Sequence, residues 1–562
     1  MNKILTFIFS RFKEVSPYHN LKILHKNIKA DVLAGITVAI IALPMALAFG
    51  EMSQLGPIAG VWGAIAGGIV GGFFGGCVVG VSGPTAPKAA QIAVFVSIIS
   101  SSSNDPYLAA FSIIFLSGII LIIISMLNIS RFIHFIPYSV IAGFMCGIGL
   151  IVIITQINAF VGLENKKTIH EVLQNLPNTF QNVNIEALFV AVPSLLILFL
   201  WPYIENKINF VKTIPSPLIC LFIGSMIAYF MDLKIPYIGD QMGKSDSVEV
   251  FSFYFPDFSQ LSQYIGPAFA LAGLAVLDSL LSCKVADNIT GKRHSSDRET
   301  FGQGMANIVA GLFGGVTTAT ATMRTVANIK FGAKTPLASI VHGFTLLGIL
   351  LGLGFLVAAI PNACLAAILF KVGIDILDYR IIPIFRKIPK TDLLVFIIVL
   401  FVTVYADLMI AVGIGVIVSI VRNLNEIKRA LSSKYSYKVI SLLNSNLCLN
   451  DNKKEMYSKI ALLQPVGPIF FGSVEPMIDS YNSYQSHNTL IVDMSKVTVM
   501  DLTGAFAMED LFKNLKLKKI KFFILNADSG IMDKFKDIVS VNTIGSKYFK
   551  DSMDDILNCL KD

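Results

Sequence analysis

Asp278 lies in the apolar run LAGLAVLDSLLSCKVADN, and Ser282 follows four residues later, on the same face of a helix. A charge at the centre of a bilayer costs roughly 2.5–3.5 kcal/mol even on lenient insertion scales, so a carboxylate kept in such a run is a candidate for function. Lys88 and Arg324 are charged residues of the same kind, each embedded in a largely apolar stretch. A carboxylate beside hydroxyls is a hard oxygen site, suited to sodium or to a coupling proton, and Thr320 and Thr322 can complete it. The same residues allow a plainer arrangement, a buried Asp278–Arg324 salt bridge that only braces the core. Spacing does not choose between the two.

The elements that must position these residues are written twice. GGIVGGFFGGCVVGVSGPTAPKAA (67–90) and ANIVAGLFGGVTTATATMRTVANI (306–329) share a Gly-rich apolar run followed by a break of small and hydroxyl residues. GIVGGFFGG aligns with NIVAGLFGG at an offset of 239 residues, and the same offset sets Thr85 opposite Arg324. Lys88 then falls in the first turn of one short helix and Arg324 near the start of another. Two such helix N-termini, each with about half a positive charge and unpaired N–H groups, make an anion site when they face each other. Glycines alone would also serve close helix packing; the paired breaks are what point to transport.

Composition removes most other classes. The chain is 54% hydrophobic and 15% charged, with mean hydropathy +0.69, which marks a polytopic membrane protein. Its formal net charge of +8 is accounted for by orientation in the membrane and not by a nucleic-acid partner. Seven cysteines, with no CxxC pair, read as packing residues.

Apolar runs give fourteen membrane segments between Asp31 and Arg429. Twelve begin near Asp31, Pro57, Tyr107, Phe135, Ala187, Ile214, Pro267, Thr300, Pro336, Ala363, Leu393 and Leu408; two shorter pieces begin near Thr85 and Met323. With both short pieces counted, the basic arm (1–30) and the loops holding Arg131, Lys292, Arg293, Lys330, Lys334, Arg386 and Lys387 fall on one side, the cytoplasmic one. Two copies of a seven-segment unit result, and because seven is odd the second is inverted relative to the first. The N-terminus has no cleavable apolar core, so both termini are expected in the cytoplasm, with the protein in the plasma (inner) membrane.

ALPMALAFG, VSGPTAP, LDSLL, GQGMANIVAGLFGG and RTVANIKFGAKTPLASIVHG resemble the sulfate permease (SulP) family of anion transporters along essentially the whole chain. Within it the chain is most similar to the cyanobacterial sodium-dependent bicarbonate transporter subgroup. The resemblance implies a seven-plus-seven inverted fold, a core moving against a gate in elevator-like alternating access, and a homodimer. It implies sodium ligands at Asp278, Ser282, Thr320 and Thr322, and bicarbonate held near Thr85, Ala86, Ala321 and the half-helix ends. Lys88 and Arg324 add fixed positive charge to that site; the bicarbonate subgroup has glycine at the place of Arg324, where arginine is typical of the wider family. Positive charge favours an anion and repels sodium.

After a linker (430–453), a soluble α/β domain (454–562) is expected. IALLQPVGPIFFG, TLIVDMS and KIKFFILNA read as strands, alternating with a helix carrying Ala507, Leu511 and Leu515 at spacing four. It resembles a cytoplasmic STAS domain, with MDLTGA at the turn where related proteins carry a phosphorylated Ser; Thr503 holds that place and is either a phosphosite or a helix N-cap. No nucleophile–base pair or phosphate loop suggests an enzyme, and no cofactor beyond a bound sodium is implied. The leading function is sodium-coupled bicarbonate uptake. The alternatives are a proton-coupled sulfate or dicarboxylate symporter, an uncoupled anion channel, and a receptor signalling through the soluble domain.

Overall fold

The structure is a computed structural model. It describes residues 13–99, 105–130, 137–164, 169–207, 216–242, 252–352, 357–377 and 387–405, then 437–444, 457–467, 487–498, 500–517, 519–528 and 544–560, with isolated residues elsewhere. It divides into two units, residues 1–133 with 145–377 and 404–409, and residues 134–144 with 378–403 and 410–562.

Helices occupy thirteen of the fourteen expected membrane segments; the segment near Leu408 lies outside the described residues. In chain order they are α1 (Ile28–Met52), α2 (Pro57–Ala66), α3 (Ala86–Ile99), α4 (Pro106–Met126), α5 (Tyr138–Thr155), α6 (Ile185–Lys207), α7 (Ser216–Phe230), α8 (Leu261–Thr290), α9 (Ser296–Leu312), α10 (Thr322–Lys330), α11 (Leu337–Gly352), α12 (Asn362–Ile376) and α13 (Lys390–Tyr405). Among the described residues, six helical spans are long and apolar enough to cross a membrane. α3 and α10 are the two short pieces that follow the repeated runs.

The repeated runs differ in local form. After α2 the first continues through a π-turn, Gly67–Gly71, into a last turn, Gly72–Phe74. That irregular stretch lies against α11, where a Cβ on Gly68 would sit 3.0 Å from the Gly343 backbone and a Cβ on Gly343 2.8 Å from the Ile69 nitrogen. Only glycine permits this approach. The second run ends α9 at Leu312 and turns at Gly314, whose φ of +68° is left-handed.

Between each run and its short helix lies a two-residue strand. β1 (Ser82–Gly83) and β2 (Ala319–Thr320) pair antiparallel, Ser82 with Thr320 and Gly83 with Ala319. Backbone paired in this way satisfies its polar groups inside the apolar core, which irregular chain at membrane depth requires. α3 and α10 follow β1 and β2 within three residues, so both helices start from this crossing.

The C-terminal part is a five-stranded sheet in the order β3 (Tyr437–Ser441), β4 (Ile460–Pro465), β5 (Thr489–Asp493), β6 (Lys521–Leu525), β7 (Phe549–Lys550). β4 through β7 run parallel and β3 is antiparallel to β4. The expected linker therefore needs correction: Tyr437–Ser441, within 430–453, is a strand of the sheet, laid along its edge by five backbone pairings with β4. Helix α14 (Leu502–Leu517) buries Ala505, Met508, Leu511, Phe512 and Leu515.

Candidate anion site at the half-helix crossing

The crossing fixes where the sequence-selected residues lie. α3 begins right after Thr85, whose carbonyl accepts from the Ala89 N–H at 3.0 Å. α10 begins right after Ala321, whose carbonyl accepts from the Thr325 N–H at 3.0 Å. Thr85 thus corresponds structurally to Ala321 and not to Arg324, because the path from the glycine pair to the helix is three residues shorter in the second copy. The N–H groups of Thr322, Met323 and Arg324 lack carbonyl partners one turn earlier in α10; in α3 Pro87 has no N–H to give.

Arg324 is buried at 1% exposure and extends from α10 across to the first copy, where its Nη2 donates to the Pro84 carbonyl. The arm fits because residue 83 is glycine: a Cβ there would lie 2.2 Å from Arg324 Nη1. Asp278 on α8 lies within electrostatic reach of Lys88 and Arg324 and beside the Thr85 hydroxyl. Among the described residues, Asp278 and Arg324 form no ion pair within 4.0 Å, so the plain salt-bridge brace is not what holds them. Instead Asp278 Oδ2, Thr85 Oγ1 and Arg324 Nη1 are all buried without a hydrogen bond of normal geometry, although the Thr85 hydroxyl and the Asp278 carboxylate face each other. Most buried polar atoms are paired, and leaving one unpaired costs about 1–3 kcal/mol. One acceptor, one donor and one group able to be either are thus gathered at two helix starts.

The four residues expected to hold sodium are divided. Ser282 and Thr322 are brought together, their hydroxyls 2.7 Å apart. The Thr320 hydroxyl is turned elsewhere: it donates to Glu299 Oε1 and accepts from Gln303 Nε2 at 3.0 Å, while its N–H donates to Ser279 Oγ at 3.1 Å. Lys88, fully buried, directs its ammonium to the Thr317 hydroxyl at 3.5 Å.

Sequence reasoning missed the group that holds the crossing in place. Glu299, Gln303 and Asn307 recur at spacing four on α9 and are all buried. Glu299 accepts from the Gly76 and Cys77 N–H groups at 2.8 Å each and from Gln303 at 2.8 Å. Gln303 also donates to Ser82 at 2.7 Å, and Asn307 binds the Thr318 backbone from both sides, at 2.7 and 3.0 Å. The signal was present as ETFGQGMAN, three polar residues one turn apart in a membrane segment. His342 was missed as well; it is fully buried against Gly68, with neither ring nitrogen hydrogen-bonded.

In the second unit, Thr503 lies in the first turn of α14. Asp501 caps that helix by accepting from the Gly504 N–H at 2.7 Å, so Thr503 is not the N-cap. Its hydroxyl accepts from the Tyr138 N–H at 3.1 Å, and the Tyr138 ring packs on Phe506.

A helical membrane domain in which two half-helices start from one crossing, with buried cations and a carboxylate between them, is the architecture of a membrane transporter. Known proteins similar to this chain agree. The sulfate permease family model matches residues 28–399, and the STAS domain model residues 453–547. Over 523 residues the chain is 34% identical to the Bicarbonate transporter BicA of Picosynechococcus sp., covering 90% of each. It is 23% identical over 540 residues to High affinity sulfate transporter 2 of Stylosanthes hamata, covering 91% of this chain and 80% of that protein. The solved transmembrane domain of a cyanobacterium bicarbonate transporter BicA superposes with a TM-score of 0.63 at 34% identity, over 69% of this chain and 98% of that domain. The chain belongs to the sulfate permease family and ends in a STAS domain; it is an anion transporter and not an enzyme.

Proposed function

We propose that the protein takes up bicarbonate across the plasma membrane, coupled to sodium, by an elevator-like movement of the core that carries the half-helix crossing, as a homodimer with both termini cytoplasmic. The observation that carries this reading is the trio of buried atoms without a hydrogen bond of normal geometry at the crossing, Thr85 Oγ1, Asp278 Oδ2 and Arg324 Nη1. A monovalent oxyanion between Thr85, Ala86, Ala321 and Arg324 gains the donors, while Asp278 attracts a cation toward the Ser282–Thr322 hydroxyl pair. The 34% identity to a bicarbonate transporter supports the substrate.

A second reading has its own observation. Lys88 and Arg324 place two cations against one carboxylate, and the Thr320 hydroxyl is held by Glu299, so a proton on Asp278 coupled to sulfate or a dicarboxylate fits the charges as well. Radiolabelled bicarbonate and sulfate uptake into proteoliposomes, at fixed pH, with a sodium gradient or with choline, separates them. Bicarbonate uptake that needs sodium supports the first reading. Equal rates in sodium and choline, with uptake rising as external pH falls, replace it with the second. Thr503, next to Tyr138, is the proposed point at which phosphorylation of the STAS domain regulates transport.

A further inference from the structure

Four segments distant in sequence converge on a cavity of about 570 Å³. The approach to α1 contributes Lys26, the loop into β1 contributes Gly76 to Val79, the α8–α9 connection contributes Lys292 and Arg293, the first turn of α9 contributes Arg298, and the chain before α11 contributes Lys334. Five cationic side chains line the cavity against a single carboxylate, Asp287, which is already engaged by His294 through Nδ1 at 2.7 Å and the backbone N–H at 3.0 Å. Basic loops that only fix orientation in the membrane need to lie on one side; they need not gather around one concavity.

The cations differ in how they are held. Arg298 is half-buried and anchored, donating to the Gly75 carbonyl at 3.2 Å and to Asn20 Oδ1 at 3.3 Å. Lys26, Lys292 and Lys334 are exposed, and among the described residues no ion pair holds them. An anchored guanidinium with exposed ammonium groups around it suits an oxyanion of several charges, and the volume falls within the range of small-molecule sites.

We infer that this cavity binds a ligand carrying two or more phosphate charges, and that it is separate from the transport site. None of the residues at the half-helix crossing lines it. The ligand is either the headgroup of an anionic phospholipid, for which basic pockets between membrane helices are suited, or a soluble pyrophosphate-bearing molecule. Its effect on the carrier follows from the wall it touches. Gly76 and Cys77, whose N–H groups are held by Glu299, lead within a few residues into β1, so occupancy bears on the strand that positions α3.

The test uses the full-length protein in nanodiscs. Inorganic pyrophosphate is titrated calorimetrically into phosphatidylcholine discs, and thermal stability is compared between phosphatidylcholine and cardiolipin-containing discs. The variants are Lys292→Ala/Arg293→Ala/Lys334→Ala and Arg324→Ala, with Lys292→Gln/Lys334→Gln in reserve should the triple variant not purify as folded protein. Saturable pyrophosphate binding, weakened at least tenfold by the triple variant and unchanged in Arg324→Ala, establishes the site with a soluble ligand. A cardiolipin stabilisation lost in the triple variant, without pyrophosphate binding, establishes it with a lipid. The inference is overturned when neither probe acts on the wild type, when the loop variants respond as the wild type does, or when Arg324→Ala alone abolishes the response.

Discussion

Arg324 adds a full charge where two helix starts already converge, so Arg324→Ala is expected to weaken anion binding by about 2–5 kcal/mol, on the order of thirty- to several-thousand-fold. The variant should elute and melt as folded protein, since the contact it loses is a bond to one carbonyl, that of Pro84. Wild-type affinity in calorimetry would return Arg324 to a bracing role. Gly83→Ala makes a finer test. Its new methyl meets the far end of the Arg324 side chain at 2.2 Å and pushes the guanidinium aside without removing its charge. Anion affinity should drop at least tenfold with little change in melting temperature. Asp278→Asn keeps the shape and removes the charge, so the cation requirement and uphill uptake should disappear together; a variant that still concentrates the anion against its gradient would remove Asp278 from coupling.

At the scale of elements, the polar ladder on α9 is the support of the site. Glu299→Gln places an amide where two backbone N–H groups and the Thr320 hydroxyl now meet a carboxylate, so about 1–3 kcal/mol of stability should be lost. The melting temperature should fall, and Cys77 and Cys283, now buried, should become reactive to thiol dyes at lower temperature. The half-helices were legible in the sequence because each needs a break after a glycine-heavy run, and both breaks were written in small and hydroxyl residues. Their exact correspondence was not. The glycine pairs Gly75–Gly76 and Gly314–Gly315 align, but the loops beyond them differ in length, and loop length leaves no periodic trace. The ladder escaped notice since each member is neutral or capped with charge only at Glu299, near the helix start where an acid is unremarkable. β3 was read as linker because an edge strand with one neighbour needs little apolar patterning.

For the whole molecule, every residue of the proposed transport site lies in the first unit, so deletion after Leu431 should leave measurable uptake per correctly inserted protein. Complete loss in well-folded material would make the C-terminal domain part of the transport cycle. Thr503 tests regulation more gently. Thr503→Glu puts a charge where Tyr138 N–H and Phe506 now pack, and should lower the maximal rate several-fold with KM unchanged. Thr503→Val, which forfeits one hydrogen bond of about 0.5–1.5 kcal/mol, should transport nearly as the wild type does. The pairing of Ser82 with Thr320 has a further consequence, for biosynthesis. The first strand leaves the ribosome 238 residues ahead of its partner (320 − 82 = 238), a delay of roughly 12–50 s at about 5–20 residues per second. Through that interval Lys88, buried in the finished fold, and the first strand are without the partners they have there. The first half of this transporter therefore stays without the strand partner that orders its crossing until the second half has been translated.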